Sequence, residues 1–214
     1  GKRMGSDIPK QFLMLAGKCV LEHSVDTFCA HPGIEEVVIV VATGYIDKVQ
    51  KLSEDRGWQK VKHIVQGGKE RYHSTLAAVD IYRNQPDCNM LIHDAARPLV
   101  TTEIIDKTIE AMNSYTAADV AIPVADTIVE SHDSGNTMDT VLNRDILYSE
   151  QTPQAFRRSV LEEAYRIALQ DPDFKSTDDC GTVIKYMPQV PVAIVPGSTS
   201  NIKLTYASDI PMIE

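Results

Sequence analysis

An unbroken run of β-branched residues, Val37-Val38-Ile39-Val40-Val41, most constrains what this chain can fold into. Such a run is typical of a strand that is buried on both faces, as in a parallel sheet covered by helices. The run lies within a predicted strand over 36–42. It therefore predicts an α/β fold in which helices cover both faces of a mostly parallel sheet.

Strand and helix patterns continue to alternate along the chain. The predicted strands after the first are 60–65, 89–93, 119–124, 192–195 and a short one at 201–204. The predicted helices are 20–28, 45–56, 71–82, 102–112, one from a capping box of Ser159 with Glu162 to about residue 169, and one that starts at Thr177-Asp178-Asp179. This alternation indicates βαβ units.

The alternation breaks between residues 126 and 143. Two β-prone arms, 127–130 and 137–142, flank an Asp/Ser/Gly/Asn-rich turn at 131–136, which predicts a β-hairpin. Its arms carry too few apolar residues for a core of their own, so we expect a projecting arm that finds a partner. With 214 residues, of which 43% are hydrophobic, the chain is expected to form one domain, 1–214, with this arm inserted.

The overall charge limits the kind of partner. A net charge of −9 disfavours general nucleic-acid or membrane-surface binding, so any anion site must be a local concentration of cations. The four cysteines show neither a C-x-x-C motif nor a metal-like spacing with the six histidines. No run is apolar and long enough to span a membrane. We therefore expect a soluble, cytoplasmic protein with neither a nucleic-acid nor a membrane partner.

The first eleven residues combine three cations with two glycines and a proline. Glycines let backbone N–H groups approach a phosphate, and Arg3 and Lys10 can flank it with charge. The loop therefore predicts a polyanion site, with ordinary solvated surface as the alternative.

A second glycine pair, Gly67-Gly68, follows a predicted strand and opens a helix. It would aim free N–H groups and the positive helix end at a ligand, with Arg71 and Ser74 on the first turns. The alternative is a glycine turn with a plain helix cap.

The segment from His93 to Pro98 follows a hydrophobic strand. Asp94 has no packing role there but could hold hydrated Mg²⁺ or a ribose hydroxyl, and Ala95 and Ala96 leave room for a flat base. The alternative is a turn salt bridge between Asp94 and Arg97. We interpret His93 as a hydrogen-bonded core residue rather than a base.

Further polar residues fall at predicted strand ends or loops: Arg144, Thr152 and Lys203. Each cation by itself is typical of an exposed surface residue. Arg144 and Lys203 together with Arg3 and Lys10 give four cations for one site, which suits two phosphorylated substrates. No Ser/Cys/His grouping stands out, which argues against hydrolase chemistry. Neither a P-loop nor a G-x-G-x-x-G fingerprint is present, which disfavours P-loop kinases and dehydrogenases.

Taken together, these motifs resemble, in order and spacing, those of the 2-C-methyl-D-erythritol 4-phosphate cytidylyltransferases. The matching segments are Gly1-Lys2-Arg3-Met4, Pro9-Lys10-Gln11, Gly67-Gly68-Lys69-Glu70-Arg71 with Ser74, His93-Asp94-Ala95-Ala96-Arg97-Pro98, Asp126-Thr127, Asn143-Arg144, Gln151-Thr152-Pro153-Gln154, Thr177-Asp178-Asp179 and Asn201-Ile202-Lys203. The resemblance implies a Rossmann-like nucleotidyltransferase that joins CTP to a polyol phosphate with Mg²⁺, giving a CDP-polyol and pyrophosphate.

The resemblance also implies a role for each matching residue. Arg3 and Lys10 would stabilise charge at the α-phosphorus, and Arg144 and Lys203 would position the attacking phosphate. The nucleotide site would consist of Gly1, Gly67, Gly68, Ser74, Asp94, Ala95 and Arg97, with Asp94 at the metal. The residues near the polyol would be Thr127, Thr152 and Thr177. The arm would make a homodimer and lend Thr127 and Arg144 to the neighbouring subunit.

The sequence departs from the family pattern at its beginning. The family has a hydrophobic strand and an Ala-Ala-Gly or Ala-Gly-Gly segment before the loop, whereas this sequence starts at the last glycine. We therefore expect a sheet without its first strand and a phosphate cradle without its first half.

Other functions remain as alternatives. Cys180, together with the stretch from Asp126 to Ser131, also resembles the sister ribitol-5-phosphate cytidylyltransferases, while His93 to Pro98 favours the methylerythritol branch. A non-catalytic nucleotide-binding module and a nucleotidyltransferase for sugar 1-phosphates are the other two alternatives.

Overall fold

The structure is a computed structural model that describes residues 9–176, 178–206 and 209–213. Its strands are β1 (Met14–Leu15), β2 (Lys18–Cys19), β3 (Val37–Val41), β4 (Val61–Gln66), β5 (Asn89–Ile92), β6 (Ala117–Pro123), β7 (Val129–Glu130), β8 (Thr140–Val141), β9 (Tyr148–Arg157) and β10 (Ala193–Pro196). Its α-helices are α1 (Val20–Ala30), α2 (Ile46–Arg56), α3 (Arg71–Tyr82), α4 (Thr102–Ala111), α5 (Arg158–Ala168), α6 (Asp179–Tyr186) and α7 (Ile210–Ile213). The predicted α/β class is confirmed.

The main sheet has four strands in the order β10-β6-β9-β5. Strands β10 and β6 run parallel, whereas β9 is antiparallel to both β6 and β5. Strands β3 and β4 form a separate parallel pair. The sheets are therefore mixed, and the expectation of a mostly parallel sheet is wrong in this respect.

The antiparallel pairs of the main sheet both involve strand β9, and the sequence of β9 does not look like that of a strand. Gln151-Thr152-Pro153-Gln154 looks like a loop because polar residues and proline are uncommon in buried strands. Gln151 and Gln154 are nevertheless buried, because the side-chain amide of Gln151 donates to Ser198 O at 2.8 Å and that of Gln154 to Asp119 Oδ1 at 3.1 Å. Polar groups that find partners across the sheet can be buried at small cost.

Helices pack on both faces of the main sheet. On one face, Phe156 of β9 packs in a cluster with Leu161 of α5 and Val183 of α6. On the other face, Val195 of β10 packs in a cluster with Ile105 of α4. These side chains are almost fully buried, so helices cover the main sheet on both sides.

A cavity of about 950 Å³ lies between β3 and β5. Among the described residues, β3 pairs only with β4 and β5 pairs only with β9, so the remaining edge of each strand lines this cavity. Between its two ends the walls are mostly apolar, and the end near the carboxyl ends of both strands, which we call the polar end, is lined by Lys10, Arg71 and Asp94. That end is where α/β folds bind ligands.

Two predicted helix starts had different outcomes. The start of α6 is confirmed, because Asp178 accepts a hydrogen bond from the Gly181 N–H at 2.6 Å. The capping box at Ser159 is wrong, because α5 already begins at Arg158. Asp87, distant in sequence, accepts from both the N–H and the hydroxyl of Ser159. The free N–H at the start of α5 is therefore satisfied by the Asp87 carboxylate, which the tertiary fold brings to it.

The short strand predicted at 201–204 is also wrong. These residues form an irregular segment in which the Leu204 N–H donates to Ala96 O at 2.8 Å. The side chain of Asn201 is fully buried and donates to the carbonyl of Thr152. The backbone of the segment bonds to the loop after β5, and the Asn201 side chain bonds to β9, so the segment does not extend a sheet.

The hairpin over 126–143 is present. Strands β7 and β8 pair antiparallel, with Val129 opposite Val141. At the turn Ser134 and Gly135 have φ of 65° and 88°, a left-handed conformation that favours glycine. The arm exposes apolar side chains, including Met138 at 73% and Val141 at 63%. In the part of the chain that the structure describes, no helix is long and apolar enough to span a bilayer.

Candidate active site

The polar end of the cavity brings together side chains from distant parts of the sequence. The lining residues there include Lys10, Arg71, Ser74, Asp94 and Lys203. Lys10 begins a 3₁₀ helix, Arg71 and Ser74 lie in the first turn of α3, and Asp94 follows β5. Four of the predicted site residues, together with Arg71, therefore meet in one place.

Asp94 lies between two cations. The Lys203 ammonium is 2.5 Å from Asp94 Oδ2, and the Arg71 guanidinium also acts on this carboxylate. Burial would raise the pKa of Asp94, but Lys203, followed by Arg71, outweighs burial and holds that pKa below its usual value. The carboxylate is therefore ionised at neutral pH. The alternative salt bridge between Asp94 and Arg97 is wrong, since Asp94 pairs with Lys203.

A buried carboxylate fixes Arg71. Its Nη1 donates to Asp179 Oδ2 at 2.6 Å, and its Nη2 lies 3.4 Å from Gln154 Oε1. Asp179 is 0% exposed and also accepts from the Tyr165 hydroxyl. Burial would lower the pKa of Arg71, but the carboxylates of Asp179 and Asp94 raise it. Since a buried charge needs a partner, this pair links the start of α3 to the start of α6.

Lys10 is connected to the same segment as Lys203. Its ammonium donates to Leu204 O at 3.2 Å, while the Leu204 N–H donates to Ala96 O. Residues 203 and 204 therefore connect Lys10 to the loop that carries Asp94. This connection keeps two cations and one carboxylate at one end of the cavity.

The glycines at 67 and 68 are required by close packing. A Cβ on Gly67 would lie 2.4 Å from Ser74 Oγ, and one on Gly68 would lie 2.5 Å from the His73 Cβ. The Gly67 N–H donates to Val41 O at 2.8 Å. The expectation that Gly67 aims a free N–H at a ligand is therefore wrong, because that N–H bonds to the end of β3.

His93 is hydrogen-bonded, as predicted, but it is half-buried at the wall of the cavity rather than in the core. Its Nε2 lies 3.1 Å from Arg97 O, and its Nδ1 lies 2.9 Å from the Thr152 hydroxyl. Burial lowers the pKa of His93 to about 4, so the ring is neutral at physiological pH. Its ring also packs 5.1 Å from that of Phe28, centroid to centroid.

Arg97 and Thr152 lie behind the polar end rather than in it. Arg97 is 9% exposed, and its terminal nitrogens donate to Asn201 O at 2.7 Å and to Glu150 O at 3.1 Å. Thr152 is 5% exposed. Residues 93–97, 150–154 and 201–204 are thus joined through backbone carbonyls into one unit, which we call the braced cluster. Ala96 packs in an apolar cluster with Leu204, whereas Ala95 is half-buried.

Thr127 and Arg144 lie at the base of the arm and are exposed. Arg144 begins a 3₁₀ helix, and its Nη1 donates to Ala125 O at 2.9 Å. Neither residue is among those that line the cavity. The structure therefore does not bring these two residues to Lys10 within one chain. Gly1, Arg3 and Thr177 lie outside the described residues.

Acidic side chains approach Arg71 from β6 and β9. Burial raises the pKa of Asp119 to about 7, and the neighbouring Glu150 carboxylate adds to this effect. Burial also raises the pKa of Glu150, followed by the charge of Asp178. Asp119 is 6% exposed and accepts from Gln154, which itself bonds to Arg71. Arg71 is therefore linked through Gln154 to one of two neighbouring acids whose pKa values are raised.

The donor set fits a magnesium ion that is carried largely by substrate phosphates. Mg²⁺ commonly takes one or two carboxylates together with phosphate oxygens and water. Asp94 is ionised and lines the cavity. Among the described residues, no group of three His, Cys, Asp or Glu side chains could hold a metal by itself.

Asp179, Tyr165 and Gln154 were not predicted as site residues. Tyr165 reads as an ordinary core position of α5, and nothing near it in sequence indicates its bond to Asp179. Arg71 and Asp179 are 108 residues apart. The sequence pointed to Asp179 and Gln154 only as members of the motifs Thr177-Asp178-Asp179 and Gln151-Thr152-Pro153-Gln154.

The whole chain matches a known family. The family model for 2-C-methyl-D-erythritol 4-phosphate cytidylyltransferase, IspD, matches residues 1–214. The enzyme of that name from Thermobifida fusca is 41% identical over 218 residues, covering 100% of this chain and 88% of the relative. A crystal structure of 4-diphosphocytidyl-2C-methyl-D-erythritol synthase from Anaerococcus prevotii superimposes with a TM-score of 0.85 at 29% identity, covering 99% of this chain and 91% of that one.

A relative with a different printed activity is also similar. The bifunctional ribulose 5-phosphate reductase/CDP-ribitol pyrophosphorylase Bcs1 of Haemophilus influenzae is 41% identical over 211 residues. The match covers 98% of this chain but 44% of that protein. This chain is therefore similar to one part of that longer protein.

Proposed function

The chain belongs to the 2-C-methyl-D-erythritol 4-phosphate cytidylyltransferase family, and we propose from this membership how its residues carry out the reaction. The enzyme joins CTP and 2-C-methyl-D-erythritol 4-phosphate to give 4-diphosphocytidyl-2-C-methyl-D-erythritol and pyrophosphate. A phosphate oxygen of the polyol phosphate attacks the α-phosphorus of CTP. The bond from that phosphorus to the oxygen shared with the β-phosphate breaks, and its electron pair leaves with pyrophosphate.

The observation that carries the mechanism is the meeting of Lys10, Arg71 and Lys203 around ionised Asp94 at the end of the cavity. A phosphate is already a competent nucleophile, so the reaction needs no general base. Catalysis then depends on in-line positioning and on cations where negative charge develops. The neutral His93 is consistent with a mechanism that uses no histidine base.

The cations divide into two roles. Lys10, together with Arg3, stabilises charge that develops around the α-phosphorus. Lys203, together with Arg144, positions the attacking phosphate. Arg71 is a further cation on the nucleotide side, and its guanidinium is held by Asp179.

The remaining family positions bind or support the two substrates. The nucleotide side consists of Gly1, Gly67, Gly68, Ser74, Asp94 and Ala95, and the polyol side of Thr127 and Thr177. We place Arg97 behind the nucleotide side as a brace, because its guanidinium is bonded to two backbone carbonyls. Asp94 would be the protein ligand for Mg²⁺, which when bound would neutralise phosphate charge.

The arm makes a homodimer and completes the partner's site. Met138 and Val141 expose apolar surface on a hairpin too small to have its own core. Because Thr127 and Arg144 lie at the base of this arm, pairing two arms would carry them to a neighbouring subunit. We also place the enzyme in the cytoplasm, in keeping with its four free cysteines.

Pyrophosphate release tests the proposed function. The purified protein is supplied with Mg²⁺, 2-C-methyl-D-erythritol 4-phosphate and either CTP, UTP or GTP. We expect release with CTP and little with UTP or GTP. A nucleotidyltransferase for sugar 1-phosphates would instead use UTP or GTP, and a non-catalytic nucleotide-binding module would release none.

Ribitol 5-phosphate is the second candidate substrate, and the 41% identity to the CDP-ribitol pyrophosphorylase favours including it. The same assay with CTP compares kcat/KM for the two polyol phosphates. A higher value with 2-C-methyl-D-erythritol 4-phosphate supports the first candidate. A higher value with ribitol 5-phosphate would reassign the substrate and leave the cytidylyltransferase mechanism unchanged.

A further inference from the structure

Asp179, the first residue of α6, is a fully buried carboxylate, and each of its two oxygens accepts a hydrogen bond. Oδ2 accepts from Arg71 Nη1 at 2.6 Å, and Oδ1 accepts from the Tyr165 hydroxyl. Burial raises the pKa of Tyr165, and the charge of Asp179 adds to this effect, so the hydroxyl keeps its hydrogen and donates it. The two donors therefore hold the carboxylate in one orientation.

Arg71, the first residue of α3, reaches this carboxylate with one side of its guanidinium. Its Nη2 lies 3.4 Å from Gln154 Oε1, which also accepts from the Asp179 N–H at 3.3 Å. The Gln154 amide donates in turn to Asp119, so its own orientation is fixed. A guanidinium carries further N–H hydrogens beyond the two that these bonds use. They lie on a side chain that lines the polar end of the cavity.

We propose that Asp179 and Tyr165 are positioning residues that hold the Arg71 guanidinium where it binds phosphate groups of the nucleotide. The inference deepens the proposed function, on which it rests, by assigning the orientation of one cation to two buried side chains. A planar guanidinium can pair with a carboxylate along one edge and with a phosphate along another. Fixing it in advance reduces the conformational entropy that is lost when the nucleotide binds.

The chain of bonds runs from the core to the cavity. The Tyr165 ring packs in the same core cluster as Leu161 and Val183. The side chain of Asp179 is 0% exposed, whereas that of Arg71 is 31% exposed, and the charge of Asp94 acts on the same guanidinium. A buried ion pair is by itself weak evidence for a role in stability. Its place here connects a cation of the site to a rigid part of the fold.

Tyr165→Phe is the mildest test of this role. It keeps the ring in the core but leaves Asp179 Oδ1 without its donor, so the carboxylate and Arg71 are no longer held in one orientation. We expect the Kd for CTP with Mg²⁺, measured without the polyol phosphate, to rise roughly 3–10-fold, as the loss of one hydrogen bond implies. Tyr186→Phe is the matched control, because that hydroxyl donates to Asp171 and neither residue lines the cavity. It should bind CTP within about twofold of the parent.

Cytidine, which has no phosphate, separates the positioning of Arg71 from a general loosening of the site. Its inhibition constant is measured against CTP in the pyrophosphate-release assay. For Tyr165→Phe we expect this constant to stay within about twofold of the parent value, because cytidine offers Arg71 no phosphate to bind. Equal losses for CTP and cytidine would overturn the inference. Unchanged CTP binding in Tyr165→Phe would also overturn it.

A double-mutant cycle tests whether Tyr165 acts through Arg71. We expect Arg71→Ala alone to raise the Kd for CTP roughly 10–100-fold, the effect of a charge-assisted hydrogen bond. In that background Tyr165→Phe should change the Kd by less than about twofold, because no guanidinium remains to be positioned. A further loss as large as in the parent would contradict the inference. Thermal melts show whether each variant is folded, and Arg71→Lys replaces Arg71→Ala in the cycle if the latter does not fold, since an ammonium lacks the planar fork.

Asp179→Asn tests the carboxylate itself. The amide keeps the shape but has one acceptor oxygen, so it cannot accept from both Arg71 and Tyr165 in the present geometry. We expect CTP to bind to it at least as weakly as to Tyr165→Phe, and tighter binding would contradict the inference. Should Asp179→Asn fail to fold, the cycle of Tyr165 with Arg71 decides. If the unaltered protein binds CTP but releases no pyrophosphate with any polyol phosphate, the proposed function fails, while the binding data still decide on these positioning residues.

Discussion

The braced cluster and the hairpin arm hold predicted site residues in opposite ways. In the braced cluster, the Thr152, Arg97 and Asn201 side chains are buried and bonded to groups from distant strands and loops. In the arm, Thr127 and Arg144 are exposed, and the one hydrogen bond described for the Arg144 guanidinium is to a nearby backbone carbonyl. One chain thus preorganises the braced cluster by itself, while we expect Thr127 and Arg144 to complete the site of a second chain.

Removing a cation from the preorganised side should have the largest effect. We expect Lys10→Ala to lower kcat by about 10²–10³-fold, because a fixed charge at the developing negative charge is lost. Lys51→Ala is the control, since Lys51 forms an exposed pair with Asp55. The measurement is pyrophosphate release at saturating CTP. Turnover by Lys10→Ala at the parent rate would remove Lys10 from the mechanism.

Removing a cation from the arm should have a smaller effect, mainly on the polyol phosphate. We expect Arg144→Ala to raise the KM for that substrate by roughly 10–100-fold, the effect of one charge-assisted hydrogen bond. The control is Arg166→Ala, whose exposed guanidinium pairs with Glu163.

Mixing the Lys10→Ala and Arg144→Ala proteins then distinguishes the two sides. If Arg144 serves the partner's site, mixed dimers contain one intact site, and exchange should restore about a quarter of the parent activity. No recovery after exchange would place both residues in the same chain's site.

Disrupting the apolar surface of the arm should weaken assembly before it affects folding. We expect Val141→Asp to raise the dimer dissociation constant by at least about tenfold, because a charge replaces an apolar contact. Analytical ultracentrifugation over a concentration series measures this. Leu169→Asp alters an equally apolar, exposed residue away from the arm and should leave the dimer unchanged. If the parent protein sediments only as a monomer at micromolar concentration, the role of the arm is wrong.

The smallest expected effect is on stability and concerns Asp119, which is bonded to the braced cluster through Gln154. Its pKa is raised to about 7, above its usual value near 3.8, so the folded state binds more protons than the unfolded state between these values. Stability is therefore lost as pH rises through 7. We expect Asp119→Asn to remove this loss and to raise the melting temperature at pH 8 by a few degrees.

The control for that prediction is to measure the melting temperatures of Asp119→Asn and of the parent at two pH values. Asp119→Asn should gain less over the parent at pH 5 than at pH 8, because the loss of stability begins near pH 4 and is complete only above pH 7. Glu150→Gln should give a smaller gain at pH 8, because it removes one neighbouring charge and leaves Asp119 buried. A parent protein more stable at pH 8 than Asp119→Asn would contradict the assignment.

Some elements were predictable because local pattern and tertiary environment agree. The run at 37–41 is a strand as predicted, and the N-cap of α6 uses Asp178. Strand β9 was missed because its polar residues suit a strand only once Asp119 and Ser198 provide partners. Ser159 was misread for the same reason, since its partner Asp87 lies 72 residues away.

The α/β class and the family followed from the sequence alone, because they depend on periodicity and on motif order, and the same motifs predict Lys10, Asp94 and Lys203 as site residues. Only the tertiary structure decided which side chains of those motifs face the cavity and which hold neighbouring loops in place. Whether an arginine or a hydroxyl faces a substrate or braces a loop depends on which donors and acceptors surround it. Arg97 donates to two backbone carbonyls and the Thr152 hydroxyl bonds to an imidazole, all from distant segments, and no local pattern encodes these bonds.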